Sequence, residues 1–415
     1  MPSHDNSGYV SITSLLKRLA TLESARKISA EEIAAAVSLI FTNSLSPVQF
    51  GVLLWALHTT NLDHQAEVLA ACASSMRDAA AQVDEEALNA VMKRRRKSEG
   101  DYQGNLCDIV GTGGDGHNTF NVSTTSSIIA SALLMMAKHG NNSSTSLSGS
   151  ADLLQNASPK PPVIAATTAA NLPHIYEKTN YAFLYAREWH PGMKYSAAVR
   201  REVPVRTIFN LLGPLANPVH DSGLVECRIL GVARKAIGQN FADALRLSGS
   251  KKALIVSGDE DLDEVSCAGL THCWHIHETR TQHGEGAKAV EITKFTITPE
   301  DFGLPRHPLE EVHGGKLPSE NAEILMQILR NERPDDDPVL HFVLINTAAL
   351  LTVSGICEAD ESNMGHGDDG KVIKERGPGG LRWKEGVRRA RWAVKSGEAL
   401  RQWEAFVDVT NSVPT

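Results

Sequence analysis

A glycine-rich loop between an apolar strand and a helix is the feature that most restricts how this chain can fold. The strand is predicted over Leu106–Val110, residues 111–116 read GTGGDG, and a helix is predicted over Ser123–Leu134. Glycines allow backbone N–H groups to approach an anion closely, and a helix N-terminus adds free N–H donors. Ser123 and Thr124 add hydroxyl groups, and Ser123 could ligate Mg²⁺. The pattern predicts a phosphate or pyrophosphate site.

Other interpretations of this loop remain open from the residues alone. It could be a tight strand-to-helix turn in which serine and threonine cap the helix. A nicotinamide-dinucleotide site and a P-loop nucleotide site are both disfavoured, because the spacing is not GxGxxG and no Walker lysine follows.

Predicted strands and helices alternate after residue 104, which indicates an α/β domain with a mainly parallel central sheet. Further strands are predicted at Leu134–Ala137, Val225–Val232, Lys252–Val256 and Trp274–His277, and further helices at Ala236–Leu247, Asn321–Leu329, Phe342–Val353 and Trp383–Val407. Residues 11–92 instead carry apolar side chains at helical spacing, which predicts an all-α module of about four helices. We expect a helical domain at 1–98 and an α/β domain at 104–415.

Three polar segments interrupt these domains. Residues 93–97 read KRRRK and are interpreted as a solvated loop, with a nuclear-import or nucleic-acid patch as the alternative. The segments 278–289 and 358–380 are predicted to be mobile surface insertions. The net charge of −8 argues against a dedicated nucleic-acid binder, whose footprint is a basic face.

The chain also has features typical of a cytoplasmic protein. No basic and apolar leader is visible at the N-terminus, and the six cysteines are scattered without a CxxC pair. This pattern fits neither a disulfide framework nor a zinc cluster. The apolar stretch 339–356 carries His341 and Asn346 and predicts a buried helix rather than a membrane span.

A second polar loop follows the strand predicted at Leu134–Ala137. Residues 138–152 read KHGNNSSTSLSGSAD, which places a lysine, amides and many hydroxyl groups in one run. By itself the run is about equally typical of a flexible linker and of a binding loop. Long polar loops inside an α/β domain, however, usually serve binding.

The two loops, in this order, resemble those of the anthranilate phosphoribosyltransferase family. The matching motifs are GTGGD at 111–115, NVST at 121–124, KHGN at 138–141, HPGMK at 190–194, RRE at 200–202, RTIFNLLGPLANP at 206–218 and DLDE at 261–264. The likeness covers most of the chain outside the basic segment and the two insertions. It implies a small helical domain joined to a larger α/β domain, with the active site in the hinge cleft. It also implies that the chain returns to the helical domain near 162–188.

The activity implied by the resemblance is transfer of the 5-phosphoribosyl group of phosphoribosyl pyrophosphate (PRPP) to the amine of anthranilate. Pyrophosphate is released, and the product belongs to tryptophan biosynthesis. The resemblance further implies Mg²⁺, expected as two ions bound with PRPP, and a homodimer formed through the helical domain. No membrane or nucleic-acid partner is expected. A related nucleoside phosphorylase and a catalytically impaired paralogue with a binding or regulatory role are the alternatives.

The resemblance also assigns residues to each ligand. The residues expected to bind PRPP are Gly111, Gly114, Asp115, Thr119, Asn121, Val122, Ser123, Thr124, Lys138, His139, Gly140, Asn141, Ser143, Ser144, Thr145, Ser146 and Ser150. Those expected to bind anthranilate are Gly111, Asn141, His190, Arg200 and Gly213, and those expected to bind metal are Ser123, Asp263 and Glu264. No general base is expected, because the aromatic amine is uncharged.

The residues themselves leave plainer interpretations open. Asp263 and Glu264 follow Asp259, Glu260 and Asp261 and could form a solvated acidic turn. Arg200 could be an exposed helix arginine paired with Glu202, and a lone histidine such as His190 is more often structural.

Two positions of the second loop depart from the family. Asn142 and Leu147 stand where relatives usually carry an arginine and a lysine. Each charge-assisted contact is worth about 1.5–3 kcal/mol. We therefore expect weaker PRPP binding unless another residue supplies the charge.

Overall fold

The computed structural model describes residues 8–143, 148–280 and 288–414. The strands are β1 (Leu106–Gly111), β2 (Met135–Gly140), β3 (Tyr181–Tyr185), β4 (Val225–Gly231), β5 (Ala253–Gly258), β6 (Thr271–Arg280) and β7 (Lys288–Ile297). The helices are α1 (Thr13–Leu19), α2 (Leu22–Ala25), α3 (Ala30–Phe41), α4 (Pro47–Thr59), α5 (Ala66–Asp78), α6 (Glu85–Arg95), α7 (Val122–Ala130), α8 (Ser150–Gln155), α9 (Leu172–Lys178), α10 (Ala186–Trp189), α11 (Ala197–Glu202), α12 (Phe209–Leu215), α13 (Gly238–Leu247), α14 (Pro318–Leu329), α15 (Pro338–Ser354), α16 (Trp383–Lys395) and α17 (Glu398–Ser412).

The seven strands form one sheet in the order β3-β2-β1-β4-β5-β6-β7. The five strands from β3 to β5 are parallel, and β6 and β7 extend the sheet as an antiparallel hairpin. The prediction of a mainly parallel α/β fold with a helical N-terminal part is confirmed. Because parallel strands end at a common edge, the loops after β1, β2, β4 and β5 meet there.

Apolar side chains cover both faces of the sheet. One core joins the sheet to α7 and the C-terminal helices α15, α16 and α17. The other joins it to α12, α13 and the N-terminal helices α1 to α5, with Leu230, Ile255 and Phe241 among its fully buried members, whereas α6 packs into the first core. The helical part therefore shares a continuous core with the sheet.

The N-terminal part contains six helices between residues 8 and 98, where the sequence predicts about four. Several begin at a capping side chain. Ser29 accepts the N–H of Glu32 at the start of α3. Ser46 accepts the N–H of Gln49 at the start of α4, where Pro47 is the first helical residue. Short connections near Leu22 and Leu62 divide what the apolar spacing presents as longer helices.

The structure corrects the predicted return of the chain to the helical domain near 162–188. That segment contains α9 and β3, and β3 pairs with β2 at the edge of the sheet. The side chains that pack into the N-terminal core come later, including Met193, Val199 and Val203. All five residues of β3 are buried, and their apolar and aromatic run YAFLY is the sequence signal that indicates this strand.

The basic segment is also different from its prediction as a solvated loop. Lys93, Arg94 and Arg95 form the last turn of α6, where positive charge is favourable. Arg94 pairs with Glu177 at 2.9 Å, and Arg95 donates to Asn180 at 2.7 Å. These contacts tie α6 to α9 and the start of β3.

Other boundaries are adjusted more modestly. The predicted final helix is two helices, because Gly397 adopts a φ of +76° between α16 and α17. The insertion 278–289 is partly the ends of β6 and β7, and residues 281–287 lie outside the described residues. Among the helices that are described, none has the length and apolar character needed to span a bilayer. The six cysteines are buried and unpaired.

The insertion 358–380, predicted to be mobile, is instead held in place by charged side chains. The Asp368 carboxylate is 3 % exposed and pairs with Arg388 of α16 at 3.1 Å. It also accepts hydrogen bonds from the Ser362 hydroxyl and from the N–H of Met364, both at 2.9 Å. Arg376 pairs with Glu358 at 2.6 Å. The segment therefore folds over its own buried carboxylate.

We predict that Asp368→Ala loosens this insertion. Loss of a buried, multiply bonded acceptor costs about 1–3 kcal/mol of unfolding free energy. Trypsin should then cleave after Lys371 or Lys374 much faster than in the parent chain. The neighbouring Asp369→Ala is the matched control, because that side chain is 62 % exposed. Equal cleavage rates for the two variants would contradict this account.

Candidate functional site

The loop after β1 forms a tight glycine turn at the carboxyl edge of the sheet. Gly113, Gly114 and Gly116 have φ angles of +64°, +73° and +81°, which other residues rarely adopt. The Thr112 N–H donates to the Gly231 carbonyl at 3.0 Å, which anchors the turn to the end of β4. Helix α7 begins just beyond the loop, so free helical N–H groups lie at the same edge. The backbone has the shape that an anion-binding loop requires.

The side chain of Asp263 packs directly against this turn. Its Oδ2 accepts the N–H of Gly113 at 2.6 Å. A Cβ atom at Gly111 would lie 2.3 Å from that oxygen, and one at Gly231 would lie 1.5 Å from the Asp263 carbonyl oxygen. Glycine is therefore needed at the ends of both strands, because the loop after β5 crosses them at backbone distance.

Three carboxylates converge at this point. Burial raises the pKa of Asp263 to about 7, and the negative charge of Asp115 adds to that rise. Burial, Asp263 and Asp115 also raise the pKa of Glu264 well above its usual value. The Glu264 Oε2 atom is buried and has no hydrogen-bond partner within the described residues. Ser123 lines the same small cavity as Asp263 and Glu264.

This donor set fits a Mg²⁺ ion. Mg²⁺ prefers hard oxygen ligands and is commonly held by one or two carboxylates completed by substrate oxygens and water. A divalent cation would also relieve the repulsion that raises both pKa values. In the described ranges, no three His, Cys, Asp or Glu side chains form a complete metal cage. Ser123, Asp263 and Glu264 are thus the residues that would hold the ion together with a bound substrate.

Two side-chain contacts join the second polar loop to the first. Asn121 Nδ2 donates to the Ser148 carbonyl at 2.9 Å, and Thr124 Oγ1 donates to Ser150 Oγ at 2.8 Å. The structure therefore brings residues of the two motifs together at one edge of the sheet. Three residues predicted to bind PRPP, Ser144, Thr145 and Ser146, lie outside the described residues, as does Leu147.

Asn142, which replaces a family arginine, is part of a local hydrogen-bond network. Its Nδ2 donates to Asp152 at 2.6 Å, and its Oδ1 accepts the Tyr185 hydroxyl at 2.5 Å. The Ser143 N–H donates to the other Asp152 oxygen at 2.8 Å. The side chain of the preceding Asn141 is close to the backbone of Asn142, and Asn141 itself is exposed. The network fixes the start of the second loop without supplying positive charge.

Lys138 and His139 end β2 in a buried position. Lys138 is 1 % exposed; burial lowers its pKa, while Asp108, Glu264 and Asp263 oppose that change. The nearby acidic groups therefore favour its charged form. Gly140 follows, and a Cβ there would lie 2.7 Å from the Phe183 ring.

The His139 and His190 rings lie 5.1 Å apart, edge to face. Burial lowers the pKa of His139 well below its usual value, with His190 and Lys138 adding to the effect. Burial likewise lowers the pKa of His190 to about 4. Both imidazoles are therefore neutral near pH 7. The backbone of Gly213 lies against His139, so three of the predicted residues form one group.

Arg200 presents its guanidinium above an aromatic cluster between the two parts of the molecule. Its Cζ lies 5.4 Å from the centre of the Phe209 ring, and that ring contacts Phe50 and Phe41 of the N-terminal helices. Among the described residues, no acceptor bonds to the guanidinium, so the alternative pairing with Glu202 is absent. Gly213 lies one turn after Phe209 on α12, which brings Arg200 and His139 toward the same helix face.

Two other predicted residues have mainly backbone or packing contacts. Thr119 forms an isolated bridge with His313, and the Val122 side chain is fully buried in the first turn of α7. The Asp115 carboxylate accepts the N–H of His117 at 3.1 Å, which helps to close the loop.

Sequence reasoning misses the buried network beneath the loops. Asp108 accepts a hydrogen bond from Asn217 at 2.9 Å and from the His139 N–H at 3.3 Å, and it faces Arg228 at 3.5 Å. Asn346 of α15 similarly bonds both the N–H and the carbonyl of Val265 at 3.0 Å. A polar residue inside an otherwise apolar strand or helix is the sequence signal for such positions.

Arg206 is a further residue that the site prediction omits. Its Nη2 donates to the Gly113 carbonyl at 3.0 Å, and its Nη1 donates to the Gly114 carbonyl at 3.3 Å. A Cβ at Gly114 would lie 1.5 Å from Nη1. Arg206 therefore braces the glycine turn on the carbonyl side, while Asp263 holds it on the N–H side.

Comparison with protein-family models finds two matches that together cover most of the chain. Residues 103–400 match the a/b domain of a glycosyl transferase family, and residues 13–80 match the helical bundle domain of the same family.

Individual relatives and solved structures agree with these matches. The chain is 36% identical over 384 residues to an anthranilate phosphoribosyltransferase of Schizosaccharomyces pombe, covering 92% of this chain and 93% of that protein. The anthranilate phosphoribosyltransferase of Saccharomyces cerevisiae in complex with PRPP and Mg superposes with a TM-score of 0.76 at 31% identity, covering 97% of this chain and 99% of the other. The same yeast enzyme in complex with 4-fluoroanthranilate gives a TM-score of 0.74 at 29% identity, with 96% and 97% covered.

Proposed function

The chain belongs to the anthranilate phosphoribosyltransferases, a family of glycosyltransferases, and on that premise we propose how it acts. It transfers the 5-phosphoribosyl group of PRPP to the amine of anthranilate and releases pyrophosphate, as a step of tryptophan biosynthesis. The observation that carries the proposal is the junction of the glycine turn with the buried Asp263. The 2.6 Å hydrogen bond from the Gly113 N–H to Asp263 supports a site in which phosphate donors and metal-binding carboxylates lie together.

Departure of pyrophosphate is the difficult step of the reaction, and we propose that the residues around the glycine turn assist it. Gly111, Gly114 and the N-terminus of α7 present N–H groups for the pyrophosphate, and Lys138 adds a buried positive charge. We propose that Ser123, Asp263 and Glu264 hold Mg²⁺, bound as two ions with PRPP. When bound, Mg²⁺ supplies charge neutralisation of the departing pyrophosphate.

Anthranilate is proposed to lie between the second loop and α11. The guanidinium of Arg200 matches a planar carboxylate with two parallel hydrogen bonds, which lysine could not provide. The neutral His139 and His190 leave the adjacent surface uncharged, as an aromatic ring requires. Because the amine is uncharged, orientation of the two substrates replaces a general base.

The remaining predicted residues take supporting roles in the proposal. Asp115, Thr119, Asn121, Val122 and Thr124 shape the first loop, and His139, Gly140, Asn141, Ser143 and Ser150, with the undescribed Ser144, Thr145 and Ser146, form the second. Closure of the second loop excludes water and so limits hydrolysis of PRPP. We propose that the units 1–98 and 104–415 act as the two sides of this cleft and that the enzyme works in the cytoplasm.

Loss of anthranilate fluorescence tests the activity directly. The full chain should consume anthranilate when PRPP and Mg²⁺ are both present, and it should not when either is omitted. Phosphorolysis of a nucleoside without anthranilate turnover would instead identify a nucleoside phosphorylase. Anthranilate binding without turnover at millimolar PRPP would identify an impaired paralogue.

We predict that Arg200→Ala raises the KM for anthranilate by about tenfold to a hundredfold, the value of a charge-assisted contact. The KM for PRPP should change by less than about threefold, because the variant leaves the glycine turn intact. Arg201→Ala is the matched control, since Arg201 is exposed on the same helix. Equal effects on both KM values would rule out a carboxylate contact for Arg200.

The metal assignment predicts a different signature. Asp263→Asn combined with Glu264→Gln removes both ionisable ligands, so Mg²⁺-dependent turnover should be lost. Asp261→Asn is the control, because Asp261 is exposed and its φ of +63° suits asparagine. An unchanged Mg²⁺ titration in the double variant would reject these ligands.

A homodimer through the helical part is proposed from an uncovered apolar stripe. Val48, Val52 and Trp55 recur at helical spacing on α4 and are 76%, 47% and 49% exposed. Exposed aliphatic and aromatic groups on one helix face are typical of a subunit interface. In a twofold dimer, the apolar stripe of one subunit would pack against the same stripe of the other.

We predict that Val52→Glu converts the dimer to a monomer, because two buried carboxylates would face each other across the axis. Sedimentation velocity measures the change. Leu247→Glu is the matched control, since Leu247 is 52% exposed on α13. A Val52→Glu variant that sediments as the parent dimer would place the interface elsewhere.

A further inference from the structure

A cavity of about 260 Å³ lies between the N-terminal helices and the glycine turn. Thr112 and Gly114 of the turn form one wall, and the connection between α4 and α5 forms another. The proposed metal ligands and Lys138 do not line it. The cavity is thus a neighbour of the substrate site, reached from the side of the turn that faces the helical part.

Two guanidinium groups face this cavity. Arg206 and Arg234 both line it, and neither forms an ion pair within the described ranges. Burial lowers the pKa of Arg206, and the positive charge of Arg234 lowers it further, so the two groups are near each other. Asp263 and Asp115 partly offset the charge of Arg206, whereas Arg234 is exposed and has no ion-pair partner in the described part of the chain, so the pair favours binding of an anion.

Two histidines extend the same basic lining from the helical part. His64 Nδ1 lies 3.3 Å from one oxygen of Asp63, and His58 Nδ1 lies 3.7 Å from the other. Asp63 is only 1% exposed, so the two imidazoles cover the one acidic group of the lining. Because Nδ1 faces Asp63 in each ring, Nε2 lies on the opposite side of the ring, where it donates only from the imidazolium form.

We propose that this cavity is a transient site for the inorganic pyrophosphate that the reaction releases. Guanidinium and imidazole donors, with the hydroxyl groups of Thr112 and Thr207, match the many acceptor oxygens of that anion. The cavity volume exceeds that of the anion, which leaves room for water. No bond forms or breaks at this site. The inference rests on the proposed function, because that reaction is the source of the anion.

Occupancy of the cavity is coupled to the glycine turn through Arg206. This side chain donates to the Gly113 and Gly114 carbonyls, so an anion in the cavity competes for the same guanidinium. Bound pyrophosphate therefore loosens the turn and weakens PRPP binding, and PRPP weakens pyrophosphate binding by the same factor.

The test titrates the full chain with inorganic pyrophosphate by calorimetry, first in EDTA and then with Mg²⁺. Because the N–H groups of the glycine turn could also hold pyrophosphate in EDTA, the part of the metal-independent binding that the cavity variants weaken reports the cavity. We expect one metal-independent pyrophosphate per protomer. Arg234→Gln should weaken this binding by about tenfold, the value of one charge-assisted contact, and His64→Gln should weaken it as well. Arg246→Gln is the matched control, because Arg246 is 44% exposed at the far end of α13.

Three results would overturn the proposal. They are an absence of metal-independent binding, equal affinity in the parent chain and in both cavity variants, and equal affinity for orthophosphate or malonate. Melting temperatures of the variants show that each is folded. Anthranilate turnover of the parent chain is measured on the same preparation. Turnover without metal-independent binding refutes the cavity alone, whereas binding without turnover refutes the proposed reaction alone.

Discussion

The crossing of the loop after β5 over the ends of β1 and β4 is the constraint on which the site depends. Asp263 comes so close to Gly111 and Gly231 that neither strand end has room for a Cβ atom. The same approach lets the Gly113 N–H bond to Asp263 at 2.6 Å. The glycine turn and the proposed metal ligands are therefore positioned by a single packing contact. A side chain at either glycine would push the carboxylates and the turn apart together.

The free-energy cost of burying carboxylates accounts for the charged side chains around the contact between Asp263 and the glycine turn. Asp263 and Glu264 are buried beside Asp115, and burial together with the neighbouring carboxylates raises the pKa of both. Lys138 offsets part of this charge from β2, and Arg206 braces the turn from the opposite side. The buried carboxylates are thus not fully neutralised by the nearby cationic side chains, and a divalent cation would balance their charge. Net acidity of the whole chain is compatible with a polyanionic substrate for this reason.

Sequence patterns predict the elements in which the spacing of apolar and polar residues follows the burial of each side chain. The glycine loop, the strands β1, β2, β4, β5 and β6, and the order of the motifs all follow from apolar runs and turn residues. Features that depend on contacts between distant segments do not follow from these patterns. The pairing of β3 with β2 and the partners of Asp108 depend on which segments meet in space, and Arg206 acts through carbonyls about ninety residues away in the chain. The basic run at 93–97 is misjudged because its partners Glu177 and Asn180 belong to a distant helix and strand.

The second loop shows how a lost charge is accommodated. Asn142 donates to the Asp152 carboxylate and accepts the Tyr185 hydroxyl, so its side chain is held against α8 and β3. Arg206 uses two of its five N–H donors on the carbonyls of the glycine turn, so its position is set by the first loop and not by the second. Lys138 lies beneath both loops, where burial lowers its pKa and Asp108, Glu264 and Asp263 oppose that change. The start of the second loop is therefore fixed by contacts within the protein itself.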